Sequence, residues 1–260
     1  IRDSNTRILL ISGRYEFHNK GIDLFLDALA QLNRRRGADR PPVLALLAVM
    51  NGHRGMDAHA LNGGFEAAGE NEGGPLTAHR IYDAANDAIL SSCKRLGLDN
   101  RRGNPVQVIL NPAELDGNDG FFNMDYISTL CACDGGIFPS WYEPWGYTPQ
   151  EAAACAVPTV TSDLAGFGRW VTGCGADLKG INVLARSHQP YGDIVNKLAE
   201  ILDSLTGLSD EALLPLRKAA REVASKTDWK SFYELYENAY ETAAENAAVR
   251  TATRTAAAMN

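Results

Sequence analysis

Residues 142–151 read YEPWGYTPQE and join a predicted strand end, Gly136 to Pro139, to a predicted helix, Gln150 to Ala156. In parallel α/β sheets, ligands bind at the carboxyl ends of the strands, and a helix that begins there points free N–H groups at an arriving anion. The stretch therefore predicts a parallel α/β sheet with an anion site at the end of one strand.

The two acidic residues in this stretch, Glu143 and Glu151, have different interpretations. Thr148 followed by Pro149 predicts an N-cap and a first helical residue, with Glu151 at the third helical position completing a capping box. Helix capping alone explains the presence of a glutamate at position 151 as well as a functional role does. Glu143 is different, because a carboxylate among aromatic residues and proline before a tight turn supports neither the helix nor a core. We predict a functional role for Glu143.

Short apolar runs alternate with amphipathic segments along the rest of the chain. The predicted strands are Ile8–Ile11, Val43–Val49, Val106–Leu110, Gly136–Pro139, Pro158–Thr161 and Ile181–Leu184. The predicted helices span residues 21–35, 76–96, 123–133, 150–156, 191–206, 209–225 and 229–248. This alternation specifies an α/β fold with a doubly wound, mostly parallel sheet, a single Rossmann-like domain with additional C-terminal helices. We assign residues 1–225 to that domain and 226–260 to a C-terminal helix and tail packing on it.

Three further segments have structural interpretations only. Residues 51–76 are rich in Gly, Asn and Glu and predict a long surface excursion. His53, His59 and His79 lie in or just beyond it and match no metal spacing, so we interpret them as solvated or capping residues. The sequence Gly166-Phe167-Gly168 predicts a turn. The last predicted helix carries an aromatic stripe that we interpret as core packing: Trp229, Phe232, Tyr233, Tyr236 and Tyr240.

Composition argues against several classes of protein. A hydrophobic content of 45% supports a packed core, and a net charge of −7 argues against a nucleic-acid or anionic-membrane surface. The five cysteines form no zinc spacing and indicate reduced thiols. The longest apolar run, Val43 to Met50, is far shorter than the roughly 20 residues of a membrane helix. The polar residues 1–6 predict no signal peptide. We therefore expect a cytoplasmic globular protein with no nucleic-acid or membrane partner.

Arg14 and Lys20 lie in the loop between the first predicted strand and the first predicted helix. Taken alone they are more simply interpreted as an ordinary exposed charge pair. A strand end that faces a helix start is nevertheless where a diphosphate would bind, and an arginine fork with a lysine point charge would suit it. Tyr126, on a short predicted helix, is likewise most simply an ordinary core or surface tyrosine.

Three separated blocks of sequence carry a family resemblance. They are SGRYEFHNKG at 12–21, PSWYEPWGYTP at 139–149 with Glu151, and TSDLAGFG at 161–168. In this order they resemble glycogen synthases of the animal and fungal type. Two glutamates eight apart occur in many retaining glycosyltransferases, whereas the Glu-Pro-Trp-Gly-Tyr-Thr-Pro run is far more specific.

The resemblance implies a retaining glycosyltransferase built from two facing Rossmann-like domains. The motifs all belong to the C-terminal, donor-binding domain, so the resemblance implies that the N-terminal acceptor domain is absent from this chain. The expected reaction transfers glucose from UDP-glucose, or alternatively ADP-glucose, to the nonreducing end of an α-1,4-glucan. No cofactor and no metal are expected, the partners are the nucleotide sugar and the glucan acceptor, and a homo-oligomer is left open.

The resemblance also implies a role for each site residue. The expected catalytic residues are Glu143, which would bind the donor sugar near its reacting carbon, and Arg14 and Lys20, which would hold the diphosphate and stabilise the leaving group. The expected donor-binding residues are Tyr126, stacked on uracil, the backbone N–H groups of Gly146, Tyr147 and Thr148 on phosphate, and Glu151 on the ribose hydroxyls. The role of Glu151 conflicts with its full use in a capping box.

Two other functions remain as alternatives. One is a catalytically silent nucleotide-sugar binding module, and the other is a sugar-nucleotide epimerase or a phosphorylase on the same architecture. A phosphorylase would need a lysine for pyridoxal phosphate, and the central motif offers none.

Regulation is where the sequence departs from the family that it resembles. Those enzymes carry a dense arginine cluster on a late helix that senses glucose 6-phosphate. The comparable residues 213–226 offer only Arg217, Lys218, Arg221 and Lys226. Spread charges make a poor phosphate clamp, so we expect little or no activation.

Overall fold

A computed structural model describes residues 5–37, 39–57, 73–174 and 179–258. Its main sheet contains six strands, all paired in parallel, in the order β5-β2-β1-β6-β7-β8. The strands are β1 (Arg7–Arg14), β2 (Val43–Met50), β5 (Val106–Asn111), β6 (Gly135–Ile137), β7 (Thr159–Ser162) and β8 (Ile181–Leu184). All six predicted strands are confirmed. A separate antiparallel pair joins β3 (His53–Met56) to β4 (His79–Ile81).

Helices cover both faces of the sheet. They are α1 (Ile22–Arg35), α2 (Ala88–Leu96), α3 (Tyr126–Cys131), α4 (Tyr147–Ala154), α5 (Gly166–Gly173), α6 (Tyr191–Thr206), α7 (Asp210–Ala224) and α8 (Trp229–Ala258). One core lies between the sheet and α1, α2 and α6, and a second lies between the sheet and α3 and α4. In β2, Val43, Ala45, Leu47 and Val49 face the first core, and Leu44, Leu46 and Ala48 face the second. Apolar residues on both sides of one strand explain why the strands are continuous apolar runs.

The strand order creates a switch point between β1 and β6. The chain moves outward from β1 through β2 to β5, and then returns to the other side of β1 and continues from β6 to β8. The loops that follow β1 and β6 therefore leave the sheet side by side at its carboxyl edge. Doubly wound sheets bind ligands in the crevice at this position. The expected fold class is confirmed, and it brings the first two sequence blocks together.

The predicted helix 76–96 is wrong in its first half. Residues 79–81 form β4, and the helix begins only at Ala88. Asp87 sets this start, because its side chain accepts the N–H of Leu90 at 2.8 Å. Gly97, with φ at 72°, ends it in the left-handed conformation.

The predictions for His53, His59 and His79 have different outcomes. His79 is buried, and its Nε2 donates to the carbonyl oxygen of Asp119 at 3.1 Å, so the solvated interpretation is wrong for it. Burial lowers the pKa of His79. His53 accepts the N–H of Gly55 at 3.1 Å, as a capping residue does. His59, with most of the predicted surface excursion, lies outside the described residues.

The turn predicted at residues 166–168 is also wrong, because these residues open α5. Gly168 has no room for a side chain, since a Cβ there would lie 2.1 Å from the carbonyl oxygen of Ser162. The glycines serve close packing of the helix on β7, which a sequence pattern does not separate from a turn.

The aromatic stripe on α8 does not form core. Only Phe232 packs inward, with its ring centroid 5.5 Å from that of Trp145 and 5.9 Å from that of Trp170. Trp229, Tyr233, Tyr236 and Tyr240 are exposed. No helix in the described part of the chain is long and apolar enough to cross a membrane.

Candidate functional site

The loops that follow β1 and β6 are tied together by backbone contacts. The N–H of Trp141 donates to the carbonyl oxygen of Asn19 at 2.8 Å. Gly21 approaches the second loop so closely that a Cβ on it would lie 2.3 Å from the carbonyl oxygen of Pro139. The two loops therefore form one surface at the switch point.

This surface carries an ion pair between Lys20 and Glu143. Only 13% of the Lys20 side chain and 21% of the Glu143 side chain are exposed. Gly13 lies beside the lysine, since a Cβ on Gly13 would be 3.7 Å from Lys20 Cε. Partial burial weakens solvent screening, so each charge is strongly felt by the other and by any ligand that enters.

The third sequence block supports the same loop. Glu143 forms a parallel bridge with Ala165, and its carbonyl oxygen accepts the N–H of Gly166 at 3.1 Å. The N–H of Phe167 donates to the carbonyl oxygen of Trp145 at 2.7 Å. Backbone pairing on both sides of Pro144 fixes the direction in which the Glu143 side chain leaves the loop.

The start of α4 differs from the prediction. Gly146 is the N-cap, with φ at 108°, and no side chain caps the helix, so the predicted capping box of Thr148 and Glu151 is wrong. A glycine in the left-handed region turns the chain into the helix earlier than expected. Pro149 then occupies the third helical position, where its missing N–H has no intrahelical partner to lose. Free amides remain at the start of α4, close to Glu143, whose Cγ would lie 3.6 Å from a Cβ on Gly146.

Glu151 is instead hydrogen-bonded by the phenol of Tyr126. The Tyr126 hydroxyl also lies 3.3 Å from Ser12 Oγ, at the end of β1. Desolvation raises the pKa of Glu151, while the hydrogen bond from Tyr126 opposes that rise. Burial raises the pKa of Tyr126 as well. The Glu151 carboxylate thus interacts with the Tyr126 phenol and can also accept hydrogen bonds from a ligand.

A pocket of about 370 Å³ opens between these elements. Its lining residues are Ser12, Gly13, Arg14, Ala48, Met50, Ala113, Glu114, Leu115, Tyr126, Thr148 and Glu151. The polar and charged lining residues come from β1, α4, Tyr126 and Glu114, and the apolar ones come from the end of β2 and from the segment after β5. A pocket of this composition suits a ligand with a flat apolar part and an anionic part.

The predicted site residues therefore come together, with two qualifications. The side chain of Arg14 is 72% exposed and pairs with Glu16 at 2.9 Å, so it lies at the rim of the pocket. The side chain of Tyr147 is exposed and lines a different groove, beside Trp145 and Trp229, and only its backbone amide faces the start of α4. The predicted roles of all these residues stay predictions.

Sequence reasoning missed several lining residues. Ser12 lies inside the first quoted block, and its contact with Tyr126 was not anticipated. Met50 is the last residue of β2, and Glu114 and Leu115 follow the end of β5. The rule that ligands bind at carboxyl strand ends, applied to all strands, would have found them. Among the described residues, no group of three or more His, Cys, Asp and Glu side chains could hold a metal ion.

The model of one protein family, described as glycogen synthase, matches residues 57–257. The chain belongs to the glycogen synthase family. The match covers most of the chain and includes the whole stretch from which the sequence analysis began.

Individual relatives within the glycogen synthase family agree. The liver glycogen [starch] synthase of Mus musculus is 28% identical over 86% of this chain and 39% of its own length. Isoform 2 of the Saccharomyces cerevisiae enzyme is 25% identical over 87% of this chain and 41% of its own length. The chain thus spans about two fifths of the length of the curated relatives that it matches.

Solved structures support the fold. A glycosyltransferase from Rickettsia africae superposes with a TM-score of 0.54 at 16% identity, covering 92% of this chain and 48% of that one. At this identity the likeness concerns the fold alone. It agrees with the Rossmann-like α/β architecture described above.

Proposed function

We propose that this chain is the donor-binding part of a retaining glucosyltransferase that extends an α-1,4-glucan from UDP-glucose. The acceptor wall of the cleft would come from a second, facing domain. The observation that carries the proposal is the half-buried Lys20–Glu143 pair at the switch point, beside a pocket lined by Arg14, Tyr126 and Glu151. Membership of the glycogen synthase family supports the choice of reaction.

The Lys20–Glu143 pair gives the donor site a way to respond to its ligand. A diphosphate that enters carries more charge than a carboxylate and would attract Lys20 away from Glu143. Glu143 would then face the sugar, where a negative charge stabilises the positive character that develops at the reacting carbon. Binding of the diphosphate would thereby prepare the carboxylate for the chemical step.

The leaving group needs positive charge that the chain itself supplies. In the transfer, the bond from glucose C1 to the phosphate oxygen breaks and a bond from C1 to the acceptor oxygen forms, while the acceptor proton passes to the phosphate oxygen of the leaving UDP. The UDP that leaves would be held by Lys20, by Arg14 at the rim and by the free amides of Gly146, Tyr147 and Thr148 at the start of α4. No cofactor enters this scheme.

The base and ribose would occupy the remainder of the pocket. Tyr126 presents a flat ring with few rotamers, which suits stacking on uracil or another base. Glu151 would accept hydrogen bonds from the ribose hydroxyls with the carboxylate oxygens that Tyr126 leaves free. The five free cysteines agree with a cytoplasmic location, which we propose for the enzyme.

Calorimetry with UDP on residues 1–260 tests the donor site directly. We expect weak binding in the high micromolar to millimolar range, roughly −4 to −6 kcal/mol, because only one wall of the cleft is present. A labelled-glucose incorporation assay on the same chain should show no glucan elongation, since acceptor positioning and water exclusion are lost. Absence of UDP binding at millimolar ligand would contradict the donor site, and elongation by residues 1–260 would contradict the need for a second domain.

The role of Glu151 predicts a pH dependence. We expect Glu151→Gln to weaken UDP binding about tenfold at pH 8, since a hydrogen bond to a charged group is worth about 1.5–3 kcal/mol. Desolvation raises the Glu151 pKa, so the wild-type carboxylate is protonated at a higher pH than an ordinary glutamate, and the difference between the two proteins should shrink as the pH falls. The ionisation of the UDP phosphate affects the affinity of both proteins equally, so it cancels in the difference between their affinities.

The same shift predicts the effect of Glu151→Gln on stability. A raised pKa in the folded state means that the ionised carboxylate costs folding free energy at neutral pH. The glutamine variant should therefore be at least as stable as the wild type in thermal unfolding at pH 7. A large loss of stability, or a pH-independent difference in UDP affinity, would show that Glu151 supports the fold and not the ribose.

Regulation by glucose 6-phosphate is expected to be weak or absent. Arg217 is already paired within the chain, because its guanidinium donates to the carbonyl oxygen of Cys133 at 3.1 Å and to Asp134 at 2.9 Å. Of the four basic residues in the segment 213–226, Lys218, Arg221 and Lys226 are exposed. Assaying the full-length enzyme with and without glucose 6-phosphate checks this expectation, and a several-fold activation would contradict it.

A further inference from the structure

Arg186 follows β8 and is buried behind the site described above. Its side chain is almost inaccessible, with 1% of the residue exposed. Nη1 donates to the carbonyl oxygen of Pro139, whereas Nε and Nη2 have no hydrogen-bond partner among the described residues. A buried guanidinium with unused donors is costly, so its retention requires an explanation.

The nearby acidic groups do not relieve this cost. Asp163 uses its carboxylate on the backbone N–H groups of Arg186 and Ser187, at 2.8 and 3.2 Å. Asp23 is hydrogen-bonded to His18 Nδ1 at 2.6 Å and to the N–H of Leu24 at 2.8 Å. Burial lowers the pKa of Arg186, although the charges of Asp23 and Asp163 act in the opposite direction.

Arg36 is a buried arginine in the same fold whose side-chain donors all have hydrogen-bond acceptors, as expected of a structural residue. Its side chain is equally inaccessible, but all of its nitrogens donate. The acceptors are the carbonyl oxygens of Pro41 and Thr206, the hydroxyl of Thr206 and the carboxylate of Asp203, at 2.7–3.1 Å. Arg36 joins the end of α1 to the end of α6, away from the switch point.

The side chain of Arg186 contacts the turn before Glu143. Its Cζ lies 4.2 Å from the centre of the Trp141 ring, which is cation–π geometry. The Trp141 ring in turn lies 5.5 Å from that of His18, and the backbone N–H of Trp141 donates to the carbonyl oxygen of Asn19, so Trp141 touches the loop that carries Lys20. Arg186 therefore holds the turn at Pro139 and at Trp141, immediately before the ion pair.

We propose that Arg186 is a positioning residue, which fixes the turn 139–142 so that Glu143 stays opposite Lys20 in the geometry that transfer requires. This inference rests on the proposed function for its catalytic consequence only. A displacement of a reacting group by about 1 Å can cost about 100-fold in rate. Arg186 touches neither pocket nor ion pair, so it should act through the turn and leave nucleotide affinity unchanged.

Amide hydrogen exchange on residues 1–260 tests the positioning itself. Arg186→Met keeps the aliphatic stem and removes the guanidinium, and Arg36→Met is the matched control at a buried arginine elsewhere. We expect the Trp141 amide to exchange at least about tenfold faster in Arg186→Met, relative to sheet amides such as that of Leu47, and to be unchanged on the same scale in Arg36→Met. Equal protection of the Trp141 amide in wild type and Arg186→Met would overturn the proposal.

Kinetics in the full-length enzyme test the catalytic consequence. Arg186→Met should lower kcat about 100-fold with the Kd for UDP changed less than about twofold, whereas Arg36→Met should lower only the thermal stability. Arg186→Lys should recover part of kcat because it keeps the charge beside Trp141. If Arg186→Met does not fold, Trp141→Ala removes the same contact from the other side and should give the same loss of kcat.

The outcomes separate this proposal from the proposed function. Loss of UDP binding or of transfer in the wild type would remove the proposed function, while the exchange experiment would still decide whether Arg186 holds the turn. A wild type that transfers glucose, together with Arg186→Met or Trp141→Ala variants of normal kcat, would overturn the positioning role and leave the proposed function intact.

Discussion

Replacing Glu143 with alanine in the full-length enzyme should reduce glucosyl transfer by roughly 1000-fold or more without weakening the binding of UDP. The carboxylate pairs with Lys20 and does not line the pocket assigned to the nucleotide. Its removal withdraws negative charge from the reacting carbon but leaves Tyr126, Glu151 and the start of α4 in place. Steady-state kinetics with a UDP competition assay measure both quantities.

Glu143→Gln is the matched control for this change. It keeps the shape of the side chain and a hydrogen-bond acceptor for Lys20, and it removes only the charge. If charge stabilisation is the main contribution, the glutamine variant should lose nearly as much turnover as the alanine variant. Near-normal turnover in both variants would show that Glu143 does not take part in the chemical step. A loss of turnover in the alanine variant alone would show that the shape of the side chain matters and its charge does not.

The second large effect concerns folding stability. Gly21→Ala should lower the free energy of unfolding by about 3–5 kcal/mol, because it combines left-handed backbone strain with a backbone clash. Gly21 has φ at 69°, and a Cβ would lie 2.3 Å from the carbonyl oxygen and 2.9 Å from the carbonyl carbon of Pro139. Neither atom belongs to a flexible side chain, so the loop of β6 would have to move.

Gly97→Ala separates the two contributions. Gly97 has φ at 72°, and a Cβ there would meet nothing within 4 Å, so only the conformational cost of about 1–2 kcal/mol remains. Urea unfolding of both variants of residues 1–260 gives the difference. Equal destabilisation would show that the Pro139 loop yields easily and that the close approach of the two loops has little energetic weight.

Much of the fold follows from local pattern. Alternation of short apolar runs with amphipathic segments identified the six strands, because both faces of a parallel sheet are covered and the strands become continuous apolar runs. The same pattern predicted α1, in which Ile22, Phe25 and Leu29 are buried. The candidate site residues were also chosen from sequence, since residue type and spacing in the three blocks are local properties.

Local pattern failed where a neighbour in space decides the outcome. The stripe on α8 has the spacing of a buried face, but periodicity states only that a face is apolar and not that another element covers it. The capping box was the preferred local solution for α4, and Gly146 with the backbone pairing of Glu143 and Ala165 moved the helix start. In the pair β3 and β4, hydrogen bonding between distant segments replaced the first half of a predicted helix.

The sequence by itself determined the strands of the sheet, the candidate residues of the proposed donor site and the family resemblance, because each of these is contained in short runs of residues. Only the tertiary structure decided that Lys20 pairs with Glu143, that Tyr126 binds Glu151, and that Arg186 holds the turn between them. These contacts join segments far apart in the chain. Sheet order and close packing bring them together, and neither is encoded in any one segment.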